Sequence, residues 1–264
     1  NKLRQTTGAG MLDCRKALTE SNGDFEAAID WLRKQGQKVA AKRSDREAKE
    51  GVVIAQTTAD HKSGIVLCIS CETDFVSKNA DFVAFAQSIA DAAIANDVKT
   101  AEELNGVTVN GAKVEELIND KLAAIGEKIA VSKFERVDAP YVASYIHGAN
   151  RMGVLVSMTK EAAEAGKDVA MQIAAMNPLA VDETSISQET KDREKAIAIE
   201  MIKAEGKPAE MAEKIADGKM NKFFKDNTLM HQAFVKDNSK SVADYLKSVD
   251  ADLKVTDFKR VALG

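Results

Sequence analysis

The stretch DKLAAIGEKIAVSKFERV at residues 120–137 aligns without gaps with DYLKSVDADLKVTDFKRV at residues 244–261. In both copies the pattern predicts the end of a helix followed by a strand. Self-similarity over this length indicates a duplicated unit. We therefore predict that the two halves of the chain share one architecture.

A β-hairpin is predicted ahead of each copy, because β-branched and apolar runs flank short polar turns. The strands are predicted at residues 53–58, 64–71, 141–147 and 152–158. A helix follows each hairpin, at residues 81–94 and 168–176. The fold class is therefore predicted to be α+β, with two pseudo-repeated subdomains at residues 51–138 and 139–264, each a three-stranded antiparallel sheet covered by helices.

The second half is longer than the first by about forty residues, which lie between residues 176 and 244. Two charge-rich helical patterns fill this insertion and meet at a Gly-Lys-Pro turn, residues 206–208. They predict an antiparallel coiled-coil hairpin at about residues 182–228. The apolar residues expected to face each other across its two arms are Ile197, Met201, Ile202, Met211, Ile215, Met220 and Phe223.

The first 36 residues predict a compact bundle of three helices. Cys14, Ala17 and Leu18 share one face of the second helix, and Asp24 is placed to cap the third. Residues 37–50 are nearly all charged or alanine, which is typical of a solvated helix or linker without a core of its own. The predicted order is thus a bundle at residues 1–36, a charged linker at 37–50 and the duplicated body.

Composition excludes several classes of protein. The chain has 264 residues and a net charge of −4, which disfavours nonspecific binding to nucleic acid. No apolar run approaches the roughly 18 residues of a membrane span, so no membrane association is expected. Its three cysteines are odd in number and no segment resembles a signal peptide, so a cytoplasmic location is expected.

Catalytic motifs are missing. The sequence has no phosphate-binding P-loop, no dinucleotide fingerprint, no zinc-protease helix and no nucleophile elbow. The three histidines, His61, His147 and His231, lie far apart in the sequence. We expect neither covalent catalysis nor a bound cofactor or metal.

Cys68 and Cys71 form a C-x-x-C pattern, for which a thiol redox function must be weighed. Redox cysteines of this kind lie at a helix start, where the thiolate is stabilised. Here the motif ends a predicted strand, where the α-carbons lie roughly 10 Å apart, beyond the roughly 7 Å limit for a disulfide. Two buried strand cysteines on opposite faces are the favoured interpretation, with a thiol oxidoreductase as the alternative.

Two apolar pairs stand in polar surroundings. Phe75 and Val76 lie in a loop between a strand end and a helix start, and Met11 and Leu12 begin a helix after Gly10. Phe75 either folds back into the core or is exposed for insertion into a partner, since a phenyl ring buries a large area at little entropic cost. One of two neighbouring apolar residues on a helix usually faces outward.

Two stretches, RQTTGAGMLDCRKAL at residues 4–18 and CETDFV at residues 71–76, resemble the signatures of the bacterial elongation factor Ts family, as does the His147-Gly148 pair. The resemblance extends over essentially the whole chain. It implies a ubiquitin-associated-like N-terminal bundle, a pseudo-symmetric core and an inserted coiled-coil hairpin. A ubiquitin-type adaptor is a further alternative from the bundle alone, but it leaves the duplicated core unexplained.

The resemblance also implies a guanine nucleotide exchange factor for elongation factor Tu that binds no nucleotide itself. The implied contacts that disturb the partner's magnesium site are Thr73, Asp74, Phe75 and Val76. Those that grip its GTPase domain are Arg4, Met11, Leu12 and Arg15, with Leu12 and Arg15 mild departures from the family pattern. His147 and Val235 are implied further contacts, while Lys236 replaces an apolar residue. Self-association through the coiled coil is an additional expectation.

Overall fold

The computed structural model describes residues 1–264 and has mixed α+β structure, which confirms the predicted class. Its helices are α1 (Lys2–Thr7), α2 (Met11–Glu20), α3 (Phe25–Arg43), α4 (Asp74–Ser77), α5 (Ala80–Ala95), α6 (Ala101–Gly106), α7 (Val114–Ile125), α8 (Ala163–Met176), α9 (Gln188–Ala204), α10 (Ala209–Asn227) and α11 (Val242–Val249). Its strands are β1 (Glu50–Thr57), β2 (Ser63–Cys71), β3 (Thr108–Val109), β4 (Ala112–Lys113), β5 (Ala130–Asp138), β6 (Tyr141–His147), β7 (Met152–Met158), β8 (Ala233–Phe234), β9 (Asp237–Ser241) and β10 (Val255–Ala262). No helix has both the length and the apolar character needed to span a membrane.

The residues form two compact units. The first comprises Asn1–Val137, Ile146–Gly153 and Val261–Gly264, and the second comprises Asp138–Tyr145 and Val154–Arg260.

Helices α1 to α3 of the first unit enclose a small core. Asp24 caps α3, its carboxylate accepting a hydrogen bond from the amide of Ala27 at 2.8 Å. The buried residues are Leu3, Ala9, Cys14, Ala17, Ala28 and Leu32. Residues 37–43, the first part of the predicted charged helix or linker, are helical and continue α3. Val39 and Ala40 pack against the neighbouring sheet core, so this segment does bury an apolar face.

The sheet of the first unit has the strand order β1-β2-β5, and β1 pairs antiparallel with β2. Helix α5 covers it with residues at helical spacing, Phe82, Ala86, Ile89 and Ala93, all buried. The largest fully buried side chains of this sheet include Ile54, Leu67 and Ile69. Each such side chain stabilises the fold by about 1.5–3 kcal/mol, so this core gives α4 and its neighbours a rigid support.

The other three-stranded sheet has the order β10-β7-β6, so here too the last strand in the chain lies beside the second strand of the hairpin. Both copies of the quoted repeat consist of a helix followed by a strand, α7 with β5 and α11 with β10. Matching apolar positions of the two copies are buried: Leu122, Ile129 and Val137 in the first, Leu246, Leu253 and Val261 in the second.

Helices α9 and α10 pack along a seam of mostly small residues. Its buried members are Ala198, Ile202, Ala212 and Ala216, with Ile199 and Ile215 partly buried beside them. The expectation that Ile197, Met201 and Met211 face the seam is wrong, because these side chains are about half exposed. Alanines let the two backbones approach closely, and the larger residues one position earlier then point away from the seam.

Candidate partner-binding surface

The side chain of Phe75 is exposed on the surface of the first unit. Phe75 lies in the single-turn helix α4, which begins after a two-residue connection from β2, and its side chain is 85% exposed, so the alternative in which it folds back into the core is wrong. Its neighbour Val76 is half-buried and packs against the sheet core. Adjacent helical residues point about 100° apart, so anchoring Val76 turns Phe75 outward.

Asp74 supplies a negative charge beside this ring. Its carboxylate accepts a hydrogen bond from Lys78 Nζ at 2.6 Å, and this bond, with the charge of Lys78, lowers the pKa of Asp74. The carboxylate is therefore ionised at neutral pH, and its side chain is 44% exposed. A charged, accessible group thus lies next to the exposed phenyl ring.

Glu127 holds the chain just ahead of α4. One carboxylate oxygen accepts hydrogen bonds from the amides of Glu72 and Thr73, both at 3.1 Å. The other accepts the Thr73 hydroxyl at 2.7 Å. Sequence reasoning missed Glu127, and the repeat does not mark it, since Ala251 occupies the matching position of the second copy.

Glu72 connects the same segment to the end of α3. Its carboxylate accepts hydrogen bonds from the Lys128 amide at 2.7 Å, Arg46 at 3.0 Å and Arg43 at 3.2 Å. These partners, the Lys128 amide foremost, lower the pKa of Glu72. The base of α4 is therefore tied both to the α7–β5 connection and to the helix that completes the N-terminal bundle.

The bundle presents a second apolar surface. Met11 is 60% exposed and Leu12 is 82% exposed, so both face outward rather than one of them. On the opposite face of α2, Cys14 and Ala17 are buried. Arg4 and Arg15, the basic residues implied to accompany them, are exposed.

A groove of about 830 Å³ lies between the bundle and α4. Gln5 and Thr6 of α1 line one side, and Phe75 and Phe85 contribute aromatic surface to it. The N-terminal bundle and the helix that carries Phe75 therefore border one concave surface of the first unit.

His147 and Val235, the remaining implied contacts, lie in different units. His147 is exposed at the end of β6, beside a turn that contains Asn150. The backbone carbonyl of Asn150 accepts a hydrogen bond from the Val53 amide at 2.8 Å, and its side-chain amide donates one to the Val53 carbonyl at 3.1 Å. Val235 belongs to the second unit, is 44% exposed, and donates its amide to Gln172 Oε1 at 2.8 Å. Lys236 pairs with the buried Asp168.

Cys68 and Cys71 are buried in β2 and form no disulfide. Burial raises the pKa of Cys68, and burial together with the nearby Glu127 carboxylate raises the pKa of Cys71 to about 12. The thiol oxidoreductase alternative requires a thiolate of lowered pKa, and these two thiols have the opposite property.

Comparison with known proteins gives the family. The family model described as "Elongation factor TS" matches residues 72–264. A protein named Elongation factor Ts from Christiangramia forsetii is 51% identical over 267 residues, covering all of this chain and 97% of that protein. The chain belongs to the elongation factor Ts family.

Other elongation factor Ts relatives are similarly related along their length. Those from Flavobacterium psychrophilum and Clostridium perfringens are 49% and 43% identical, each covering all of this chain and 97% and 91% of the relative. The family match begins at Glu72 and so includes the whole segment that positions Phe75. The resemblance to the elongation factor Ts family, which the sequence motifs predicted, is therefore confirmed.

Proposed function

We propose that this member of the elongation factor Ts family is a guanine nucleotide exchange factor that binds elongation factor Tu in its GDP form. It disturbs the magnesium and phosphate site of that GTPase and promotes GDP release, so that GTP binds during translation elongation. The observation that carries the proposal is the exposed ring of Phe75 on a short helix whose base is fixed by hydrogen bonds.

The physical task suits such a surface. A GTPase releases GDP slowly because Mg²⁺ and backbone amides at a helix N-terminus hold the phosphates. A factor that binds more tightly to the state in which those contacts are broken accelerates release. By reciprocity, GDP weakens the factor's binding as much as the factor weakens GDP binding, so cellular GTP sets the direction of exchange.

The candidate residues divide this work. Phe75 separates elements of the partner's nucleotide site, Asp74 competes for a polar group near its magnesium, and Thr73 and Val76 support them. The grip on the GTPase domain comes from Arg4, Met11, Leu12 and Arg15, with His147 and Val235 as additional contacts. The factor acts by contact alone and uses no covalent chemistry, cofactor or nucleotide of its own.

The proposal includes the domain organisation of the chain, which consists of a ubiquitin-associated-like bundle, two pseudo-repeated core subdomains and a coiled-coil insertion. Self-association through that hairpin stays a prediction. Its support is the half-exposed set of Ile197, Met201 and Met211. Light scattering across a concentration series tests it.

Stopped-flow fluorescence tests the exchange activity. Elongation factor Tu loaded with fluorescently labelled GDP is mixed with excess unlabelled GDP, with and without the chain. We expect the rate of GDP release to rise with the concentration of the chain and to saturate. A release rate that stays at the value of the GTPase alone overturns the proposal.

A further inference from the structure

Helix α4 has only four residues and does not hold its own geometry. A single helical turn is unstable in isolation, because nucleation fixes several residues for one hydrogen bond. Thr73 occupies the N-cap position of α4, but its side chain accepts no hydrogen bond from the helix amides. The Thr73 hydroxyl is instead directed to Glu127, so a residue outside α4 restrains its N-terminal end, in addition to the packing of Val76 against the sheet core.

The segments Glu72–Thr73 and Glu127–Lys128 each donate hydrogen bonds to the other. Glu127 accepts three hydrogen bonds from Glu72 and Thr73, while the amide of Lys128 donates to the carboxylate of Glu72. Lys128 Nζ also donates to the carbonyls of Ser44 and Arg46, at 2.5 and 3.0 Å. Hydrogen bonds to ionised carboxylates are roughly twice as strong as neutral ones, so this arrangement is a strong local restraint.

We propose that Glu127 is a positioning residue, which fixes the Glu72–Thr73 segment so that α4 presents Phe75 outward before any partner binds. This inference rests on the proposed exchange function. Glu127 does not touch the partner in this account. It removes an ordering cost that would otherwise be met at the moment of binding.

The consequence is a specific kinetic pattern. Loss of the Glu127 carboxylate frees two amides and a hydroxyl, and the Phe75 segment then samples other orientations. Binding must order it again, so the concentration of the factor that gives half-maximal GDP release rises, by about tenfold for an ordering cost of about 1.4 kcal/mol. The maximal rate stays near the wild-type value, because the bound Phe75 ring acts as before.

Three variants of the full chain test this. Glu127→Ala removes the acceptor. Glu127→Gln preserves the geometry, since its amide oxygen accepts from both backbone amides and its NH₂ group donates to the Thr73 hydroxyl. Glu135→Ala removes an exposed carboxylate from β5 and is the matched control. Urea unfolding curves establish that each variant is folded.

Hydrogen exchange in the free protein measures how strongly Glu127 restrains the Glu72–Thr73 segment in the absence of a partner. We expect the amides of Glu72 and Thr73 to exchange at least about tenfold faster in Glu127→Ala than in the wild type. Glu127→Gln is expected to retain most of the protection and Glu135→Ala all of it. Unchanged exchange at these two amides in Glu127→Ala overturns the proposal.

GDP release measures the link to Phe75. Glu127→Ala is expected to raise the half-saturating concentration, with rescue by Glu127→Gln, and to have no further effect in a Phe75→Ala background. An equal effect with and without the ring means that Glu127 does not act through Phe75 and overturns the positioning role. If wild type fails to accelerate release at all, the proposed function falls, and hydrogen exchange alone then decides whether Glu127 fixes the segment.

Discussion

Gly36 of α3 lies directly against Ala123 of α7. A Cβ atom built on Gly36 would lie 3.0 Å from the Cβ of Ala123 and 3.3 Å from the carbonyl oxygen of Asn119. Glycine inside a helix costs about 1 kcal/mol relative to alanine, so its presence here is explained by the close approach of the two helices. This contact joins the helix that completes the bundle to the helix that leads to Glu127.

Replacing Gly36 by leucine is expected to destabilise the protein by about 1–3 kcal/mol, because the backbone of α7 has no room for the side chain. Gly218→Leu is the matched control, since a Cβ atom built at that exposed position of α10 meets no atom within 4 Å. Urea unfolding is expected to show Gly218→Leu at or up to about 1 kcal/mol above wild type. Equal effects at the two positions would contradict the packing argument.

Phe75→Ala is expected to lower the maximal rate of stimulated GDP release by at least about 30-fold, which corresponds to the 2 kcal/mol of an interface hot spot. Its stability should stay within about 0.5 kcal/mol of wild type, since the ring is 85% exposed. Val249→Ala, which trims a side chain that is 49% exposed at the end of α11, is expected to change neither quantity. Stopped-flow release and urea unfolding together separate loss of function from loss of fold.

The strands were accessible from sequence because their signals are local. Runs of β-branched residues predicted 141–147 and 152–158 with the bounds that β6 and β7 have, and 64–71 within one residue of β2. The short helix α4 was predicted as a loop, because one turn of helix has no periodicity to detect.

The parts that sequence missed depend on distant partners or on a choice between faces. Glu127 bonds residues 54 and 55 positions earlier in the chain, and no local pattern indicates such a pair. In the hairpin, the stripe of Ile197 and Met201 competes with the neighbouring stripe of Ala198 and Ile202. Hydrophobicity favours the first, whereas the closer packing that alanine permits selects the second.

Met11→Ala combined with Leu12→Ala is expected to weaken binding of elongation factor Tu at least about tenfold, since two large apolar side chains leave the interface. The maximal rate of GDP release at saturating factor is expected to change little, because Phe75 is intact. Leu179→Ala, at a position 58% exposed in the second unit, is the control for loss of a surface apolar side chain. Calorimetric titration measures the affinities, and unchanged binding by the double variant would remove the bundle from the interface.

We expect Cys71 to make the stability of the protein sensitive to alkaline pH. Its thiol donates to the carbonyl of Thr73 at 3.2 Å, and burial, with the nearby Glu127 carboxylate, raises its pKa to about 12. In the unfolded chain the pKa of a cysteine is about 8.5, so deprotonation favours unfolding once the pH exceeds that value. The contribution of the buried thiol is therefore fully present below about pH 8.5 and is lost as the pH rises toward 12.

Two measurements check this behaviour. Because burial raises its pKa well above the usual range, the Cys71 thiol is expected to stay protonated at pH 8, to resist a thiolate-specific reagent in the native protein and to react after denaturation. In urea unfolding between pH 8 and 11, Cys71→Ala is expected to show a smaller loss of stability with pH than wild type. The lost packing lowers its stability at pH 8, but only the slope with pH reports the thiol. A wild-type slope in the variant would assign the alkaline sensitivity to other groups.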